Sequence, residues 1–280
     1  MKRIFLVALI FTVFLTACDK NKDYLVVIHT EFGDMKAILY DETPLHKKNF
    51  ISLVKEGKYD STQWHRVMKD FMVQGGDIYA KDDTREPEAA RIQAEIVDKF
   101  QHTKGALAAA RQPDQVNPEK MSSSCQFYIV DGRTFSEAEL TTDQMKLNQS
   151  ISGMLQNPEY DSLKQLFMEM QEQGDYEGMN QLALESKEYV ERALGVNLNK
   201  EADPRILETY TKIAGAPHLD GEYSVFGRVV EGMDVIDKIA AVKVGAGNRP
   251  VEPTYMTVEL EMVPKKEITK KYGYEYPESE

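Results

Sequence analysis

Strand-like runs at the two ends of the chain, separated by a long helix-like stretch, constrain the fold more than any other feature. Residues 24–30 are β-branched and apolar, and the turn at 32–34 leads into a second strand over 36–40, which predicts a hairpin. Apolar and polar residues alternate over 254–263, which predicts a strand with one buried face. We therefore expect one β-domain built from both ends of the chain.

The part of the chain between these ends begins with a helix signal and continues as short strands. Thr43 is a good N-cap, Pro44 suits the first helical position, and Gly57 would end the helix. From residue 62 to residue 129, short apolar runs alternate with turn residues, and residues 223–230 are again strand-like. These patterns favour a mainly β architecture.

Residues 134–216 have a different, helical character. Residues 136–139 form a capping box, residues 203–204 begin a second helix, and apolar residues follow helical spacing over 163–170. The segment holds 15 acidic and 7 basic side chains. We predict a helical insertion of at least three helices between two strands of the β-domain.

Two interpretations of this insertion remain open. It is either a helical elaboration that packs on the β-domain or a surface for a protein partner. The second interpretation is motivated by its acidity and its several methionines, because methionine adapts to varied partners.

The whole chain is also acidic, with 46 acidic and 34 basic side chains and a net charge of −12. This balance argues against a nucleic-acid binder, which would present a basic face to phosphates. The charged tail over residues 265–280 is expected to be poorly ordered.

The first residues look like an export signal. Lys2 and Arg3 precede an apolar run over residues 4–15, which is too short to span a bilayer core of about 30 Å. The run ends in Leu-Thr-Ala-Cys18, which resembles a bacterial lipobox. The resemblance implies that residues 1–17 are removed and that a lipid on Cys18 anchors the exported protein to a membrane of the cell envelope. The alternative is an ordinary secretory signal with a chance cysteine. If Cys18 carries the lipid, Cys125 has no cysteine left to form a disulfide with, and we expect it to be a small buried hydrophobe.

Four later segments follow one another in the order found in a known family. Residues 64–77 read WHRVMKDFMVQGGD, and residues 104–111 read KGALAAAR. Residues 125–129 read CQFYI, and residues 219–229 read LDGEYSVFGRV. Together they resemble the motifs of the cyclophilins, the peptidyl-prolyl cis-trans isomerases.

The resemblance implies a fold and a site. The fold is a closed eight-stranded antiparallel barrel with two capping helices, formed by residues 24–133 and 217–264. The implied catalytic residues are Arg66, Phe71 and Gln74. The implied substrate-contacting residues are His65, Met72, Ala110, Arg111, Gln126, Phe127, Tyr128, His218, Leu219 and Tyr223. Of these, Met72, Phe127, Tyr128 and Leu219, together with Phe71, are expected to line the proline pocket.

The implied reaction needs little chemistry from the protein. Rotation about an X–Pro bond breaks amide resonance but makes and cuts no bond, so no cofactor or metal is expected. The five histidines show no pair at metal-ligand spacing. The guanidinium of Arg66 could donate to the prolyl carbonyl. The expected substrates are proline-containing segments of exported proteins. The alternative function is a weakly catalytic chaperone or peptide-binding module that uses the helical insertion.

Overall fold

The protein folds around a closed antiparallel β-barrel, seen in a computed structural model that describes residues 21–278. Within that range the strands are β1 (Lys22–Thr30), β2 (Gly33–Leu39), β3 (Thr62–Met68), β4 (Met72–Gly75), β5 (Ala106–Arg111), β6 (Ser122–Val130), β7 (Val225–Glu231) and β8 (Tyr255–Pro264). They follow the order β1-β2-β7-β5-β6-β4-β3-β8 around the barrel, and all neighbours are antiparallel. The closed eight-stranded antiparallel barrel is confirmed, and it is accompanied by several helices.

Side chains that alternate along the strands fill the barrel interior. Val26 and Ile28 of β1 are fully buried, and Ile28 lies opposite Val258 of β8. Met256 is buried with Val258, as the alternation in this region predicted. Met262, however, lies opposite Tyr24 near the start of β1 and is 53% exposed. The buried face is therefore confirmed for the first half of β8 only.

The helices in residues 21–278 are α1 (Pro44–Lys55), α2 (Glu137–Thr141), α3 (Gln144–Met154), α4 (Asp161–Gln173), α5 (Tyr176–Glu185), α6 (Lys187–Leu194), α7 (Pro204–Tyr210), α8 (Met233–Ala240) and α9 (Lys265–Tyr272). Helices α1 and α8 pack against the barrel core. From α1, Phe50 and Val54 join this core, and from α8, Val235, Ile236 and Ile239 do so. None of the described helices is both long and apolar enough to cross a bilayer.

The start of α1 is capped differently from the sequence-based expectation. Thr43 is the N-cap residue, but its hydroxyl donates to the carbonyl of Tyr40 and makes no cap bond. The carboxylate of Glu95 accepts the free backbone N–H groups of Leu45 and His46 instead, each at 3.0 Å. A distant acidic side chain therefore stabilises the helix start, which the local sequence does not reveal.

Residues 134–216, called the insertion below, run from the end of β6 to the start of the segment before β7 and contain helices α2 to α7. The expected capping box is present: Ser136 Oγ accepts the N–H of Glu139, and the Glu139 carboxylate accepts the N–H of Ser136. The insertion has a small core of its own, which includes Leu147 and Val190. Helix α4 follows the predicted apolar spacing, yet none of its side chains is buried.

The two ends of the insertion meet beside the segment that leads into β5. The backbone N–H of Gly215 donates to the carbonyl of Arg133 at 2.9 Å, and that of Ala216 donates to His102 at 2.8 Å. Only glycine fits at position 215, because a Cβ there would lie 2.4 Å from the ring of Tyr210 and 2.5 Å from the His102 carbonyl oxygen. This close approach holds the end of α7 against the barrel.

Within the described residues of the charged tail, 265–278, a helix packs on the barrel, contrary to expectation. Helix α9 covers Lys265–Tyr272, and Ile268 and Tyr274 are 1% and 6% exposed within a cluster that includes barrel residues. Tyr274 Oη accepts the backbone N–H of Asp41 at 2.7 Å and donates to the carboxylate of Glu42 at 2.8 Å. The high share of charged residues in the tail led to the wrong expectation, because a few apolar side chains are enough to fix it to the barrel.

Candidate active site

A pocket of about 200 Å³ opens on the barrel surface where four strands and the segment before β7 meet. It is lined by Arg66, Phe71, Met72, Gln74, Ala110, Arg111, Tyr128, Leu219 and Tyr223. All four motifs that the sequence singled out contribute residues to this lining. All nine were predicted as site residues, and the fold brings them together from positions more than 150 residues apart.

The β3–β4 hairpin determines the direction of Arg66. Arg66 lies opposite Gln74, and a bulge interrupts the register between Trp64 and Arg66. In a regular strand, residues two positions apart face the same side. The bulge breaks this rule, so Trp64 is buried in the core whereas Arg66 is exposed at the pocket. Re-aiming a side chain is a common role of bulges beside functional sites.

The glycine pair after Gln74 lets the backbone pass close to the core. A Cβ at Gly75 would lie 2.8 Å from the carbonyl oxygen of Gln63, and one at Gly76 would lie 2.8 Å from the Phe127 ring. Gly76 also has a φ of +78°, which other residues adopt at a cost. The pair therefore serves packing at the edge of the site as well as the turn.

Polar side chains form a continuous chain from the pocket to an acidic residue. Nη1 of Arg66 lies 3.4 Å from Oε1 of Gln74, and Nε2 of Gln74 donates to Oε1 of Gln126 at 3.1 Å. Nε2 of Gln126 then donates to the carboxylate of Asp77 at 3.0 Å. Each amide accepts from one neighbour and donates to the next, so the orientation of Gln74 is fixed from both sides.

The apolar wall of the pocket is made of side chains that are almost wholly withdrawn from water. Met72, Tyr128 and Leu219 are 2%, 4% and 6% exposed. Phe71 is partly exposed, and the ring of His218 stands 5.2 Å from its ring, centroid to centroid. A wall of this kind suits the ring of a proline side chain.

Arg111 is a buried cation at the side of the pocket. Its side chain is 5% exposed, and the guanidinium lies 4.5 Å from the centroid of the Tyr223 ring. Its Nε donates to the carbonyl of Glu222 at 2.9 Å, and Nη2 lies 3.2 Å from the Glu222 carboxylate. The bonds to Glu222 fix the guanidinium, and the guanidinium in turn holds the Tyr223 ring through a cation–π contact. Arg111 also borders a second cavity of about 370 Å³, next to the pocket, with Ala110, Gln74 and Gln126.

Four predicted contacts are placed outside the pocket lining. Phe127 is corrected: it is 1% exposed in the barrel core against Trp64, because adjacent residues of β6 face opposite sides and Tyr128 takes the pocket side. Gln126 borders the second cavity, His218 contacts Phe71 at the edge, and His65 does not reach the lining. Nδ1 of His65 is buried without a hydrogen-bond partner among the described residues.

Cys125 behaves as the sequence suggested. It is 3% exposed, and burial raises the pKa of its thiol to about 11, so the reactive thiolate is disfavoured at neutral pH. Cys18 lies outside the described residues.

Sequence reasoning missed the residues behind the pocket. The Tyr128 hydroxyl contacts the buried ring of His102, which bonds Asp220, and Asp77 ends the amide chain described above. Asp77 and Asp220 both stand inside the recognised motifs, as the last residue of Gln-Gly-Gly-Asp and the second of Leu-Asp-Gly. Their positions were therefore a usable signal, whereas nothing local marks His102.

Comparison with known proteins identifies the family. The family profile described as cyclophilin type peptidyl-prolyl cis-trans isomerase/CLD matches residues 25–138 and 207–259. A Staphylococcus epidermidis protein named as a peptidyl-prolyl cis-trans isomerase is 27% identical over 239 residues, which cover 83% of this chain and 88% of that one. A Streptococcus pyogenes protein named as a bifunctional phosphatase/peptidyl-prolyl cis-trans isomerase is 26% identical over 249 residues, which cover 84% of this chain and 38% of that one.

The fold agrees with a solved structure of the same family. A cyclophilin type isomerase from Cryptosporidium parvum aligns with a TM-score of 0.51 at 17% identity, over 86% of this chain and 100% of that one. The two blocks that match the family profile cover more than half of the sequence and contain every residue that lines the pocket. The chain therefore belongs to the cyclophilin-type peptidyl-prolyl cis-trans isomerases.

Proposed function

We propose that Arg66 and the apolar wall beside it accelerate rotation about X–Pro bonds in exported polypeptides, with Gln74 orienting the guanidinium. The observation that carries this proposal is the shared pocket: the exposed guanidinium of Arg66 borders the same cavity as Phe71 and Met72. A cationic donor therefore stands next to a surface that can hold a pyrrolidine ring.

The physical task is to stabilise a twisted amide. Amide resonance sets a rotation barrier of about 18–20 kcal/mol, and a site complementary to the twisted state lowers it. A hydrogen bond from Arg66 to the carbonyl of the proline residue would favour a pyramidal, non-resonant nitrogen. Guanidinium suits this role because it stays charged and presents its donors in a rigid fork. The amide chain from Gln74 to Asp77 would keep that fork in one orientation.

The apolar wall has the complementary task. Phe71, Met72 and Leu219 would hold the proline ring while the carbonyl of the preceding residue turns in the open part of the pocket. When the proline side of the bond is held fixed, binding energy can be used to favour the twisted transition state. Tyr128 would form the buried part of this wall.

The decisive test is the exchange rate of a proline tetrapeptide, measured by a protease-coupled assay or by NMR exchange. Arg66→Ala should lower kcat/KM by about 100-fold, the usual effect of removing a preorganised charge-stabilising donor. Arg192→Ala, at an exposed arginine of the insertion, is the matched control and should be unchanged. The proposal fails if the wild type gives no acceleration or if Arg66→Ala retains full activity.

A binding role is the second candidate, favoured by one observation on the insertion. A groove of about 500 Å³ between α3, α4 and α5 is bordered by exposed or half-buried apolar side chains, including Leu155, Phe167, Met168 and Met179. The insertion around it holds 15 acidic and 7 basic side chains. Apolar segments of unfolded polypeptides flanked by basic residues would fit this combination.

Aggregation of a permanently unfolded, basic protein tests this second role separately from catalysis. Met168 is 52% exposed, so Met168→Glu should remove protection against aggregation while leaving kcat/KM on the tetrapeptide unchanged. Leu194→Glu, at a leucine 44% exposed on α6 and outside the groove lining, is the control. Equal protection by all three proteins would count against the groove.

The cellular setting is a further part of the proposal. The lipobox-like segment before Cys18 supports export and attachment to an envelope membrane through lipid on that cysteine. Labelling of cells with radioactive palmitate should mark the wild type and Cys125→Ala but not Cys18→Ala. Labelling that survives loss of Cys18 would contradict the anchor.

A further inference from the structure

A buried tyrosine of the insertion lies at the start of a hydrogen-bonded series that ends in the pocket. Tyr210 closes helix α7, is 0% exposed, and donates from its hydroxyl to Oδ2 of Asp220 at 2.6 Å. Asp220 directly follows Leu219, which lines the pocket. The insertion thus reaches the residues behind the site through one side chain.

Asp220 also forms hydrogen bonds with His102. Its Oδ1 accepts the backbone N–H of His102 at 2.7 Å and faces Nδ1 of the same residue at 2.9 Å. A carboxylate only accepts, so Nδ1 carries a proton. Nε2 of the same ring lies 3.1 Å from the hydroxyl of Tyr128, within hydrogen-bond distance. The ring of His102 is 0% exposed, so water does not compete for these bonds.

Both tyrosine hydroxyls in the series keep their protons. Burial raises the pKa of Tyr210 and of Tyr128 well above the ordinary value, which keeps both protonated. Tyr210 donates to the Asp220 carboxylate from one side and Nδ1 of His102 donates to it from the other, so these two hydrogen bonds converge on Asp220. Nε2 of His102 forms the bond to the Tyr128 hydroxyl. The ring of Tyr128 is held by this bond at the pocket wall.

The insertion fixes Tyr210 from two sides. The carbonyl of Tyr210 accepts the N–H of Phe135, at the entry of the insertion, at 2.9 Å. At the exit, the ring packs so closely on Gly215 that a Cβ there would lie 2.4 Å from it. The position of the ring therefore depends on how the insertion is seated on the barrel.

We propose that Tyr210 is a positioning residue for the proline pocket, acting through Asp220 and His102 on Tyr128, so that the insertion sets the affinity of the pocket for prolyl peptides. This inference rests on the proposed function of the pocket. It differs from a purely structural role for Tyr210, which would affect stability but would not be transmitted through the Tyr128 hydroxyl.

A double-mutant cycle on peptide binding tests the inference. The Kd of the proline tetrapeptide is measured by NMR titration for the wild type, Tyr210→Phe, Tyr128→Phe and the double variant. Each single variant should raise the Kd about three- to tenfold, the range for one buried hydrogen bond. The double variant should bind no more weakly than Tyr128→Phe alone, because the first bond acts only through the second. Tyr189→Phe, at an insertion tyrosine 47% exposed, should bind as the wild type does.

A spectroscopic measurement shows directly whether a change at Tyr210 reaches Tyr128. With tyrosine labelled with ¹³C at Cζ, the Tyr128 resonance should shift in Tyr210→Phe and not in Tyr189→Phe. An unchanged Kd for Tyr210→Phe, an unshifted Tyr128 resonance, or fully additive effects would overturn the inference. If the cycle shows coupled effects on the Kd but the wild type does not catalyse exchange, only the proposed function is overturned. If the wild type binds no peptide, both are overturned.

Discussion

The guanidinium of Arg66 and the side-chain amide of Gln74 face each other across β3 and β4, with Nη1 3.4 Å from Oε1. Gln74 is itself held by Gln126 at 3.1 Å. An exposed arginine normally samples many rotamers, and this contact supplies a preferred direction at the pocket. The orientation of the central cation thus depends on an amide that is fixed from behind.

This relationship predicts the effect of removing the amide. Gln74→Ala should lower kcat/KM roughly tenfold, because Arg66 keeps its charge but loses its orientation. The loss should be smaller than for Arg66→Ala in the same protease-coupled assay. Gln165→Ala, at an exposed glutamine of the insertion, is the control. A Gln74→Ala enzyme as active as the wild type would show that Arg66 needs no such support.

The buried guanidinium of Arg111 predicts that lysine cannot replace it. Arg111→Lys keeps the charge but loses the fork that reaches Glu222 and the flat contact with Tyr223. We expect a loss of about 1–2 kcal/mol in the free energy of unfolding and a higher KM. Urea unfolding of Arg205→Lys, whose side chain is 64% exposed, supplies the control. Equal stability of the two variants would contradict the prediction.

The seated C-terminal helix predicts a large effect of a single truncation there. Ile268 is 1% exposed, so Ile268→Ala should lower the free energy of unfolding by about 2–4 kcal/mol. Ile213→Ala makes the same chemical change at a site 50% exposed and should cost well under about 1 kcal/mol. If α9 were detached from the barrel, the two variants would be alike in a urea titration.

The buried His46 predicts a loss of stability in acid. Burial lowers the pKa of His46 below its ordinary value of 6.5, although Glu95 opposes the shift. Between these two pKa values the unfolded chain binds more protons, so stability is full above pH 6.5 and falls as the pH drops below it. The slope is at most about 1.4 kcal/mol per pH unit for one proton.

Urea unfolding at pH 7.5 and 5.5 checks this prediction. His46→Gln should lose less stability than the wild type over that interval, with a remainder from His65, whose pKa burial also lowers. Between pH 7.5 and 8.5 the stability of both proteins should no longer depend on pH through these histidines, because both are then neutral in the folded and the unfolded states. An identical acid dependence of variant and wild type would assign the effect to other groups.

The motifs of the sequence were sufficient to name the pocket. The resemblance that these motifs carry predicts every residue that lines it, from Arg66 to Tyr223, and the closed barrel that brings them together. The capping box at Ser136 and the hairpin of β1 and β2 were also predicted, because both depend on neighbours a few positions away. Local patterns thus determined these elements, and the motifs predicted the nine residues that line the pocket together with four that lie outside its lining.

Only the tertiary structure decided which side each residue faces and what lies behind it. The pleat of β6 assigns Tyr128 to the pocket and Phe127 to the core, and the bulge in β3 turns Arg66 outward. The cap from Glu95 and the bond between Tyr210 and Asp220 join groups with no shared periodicity. Such contacts depend on strand register and on how separate segments pack against each other, and these are properties of the folded whole that a local sequence pattern does not encode.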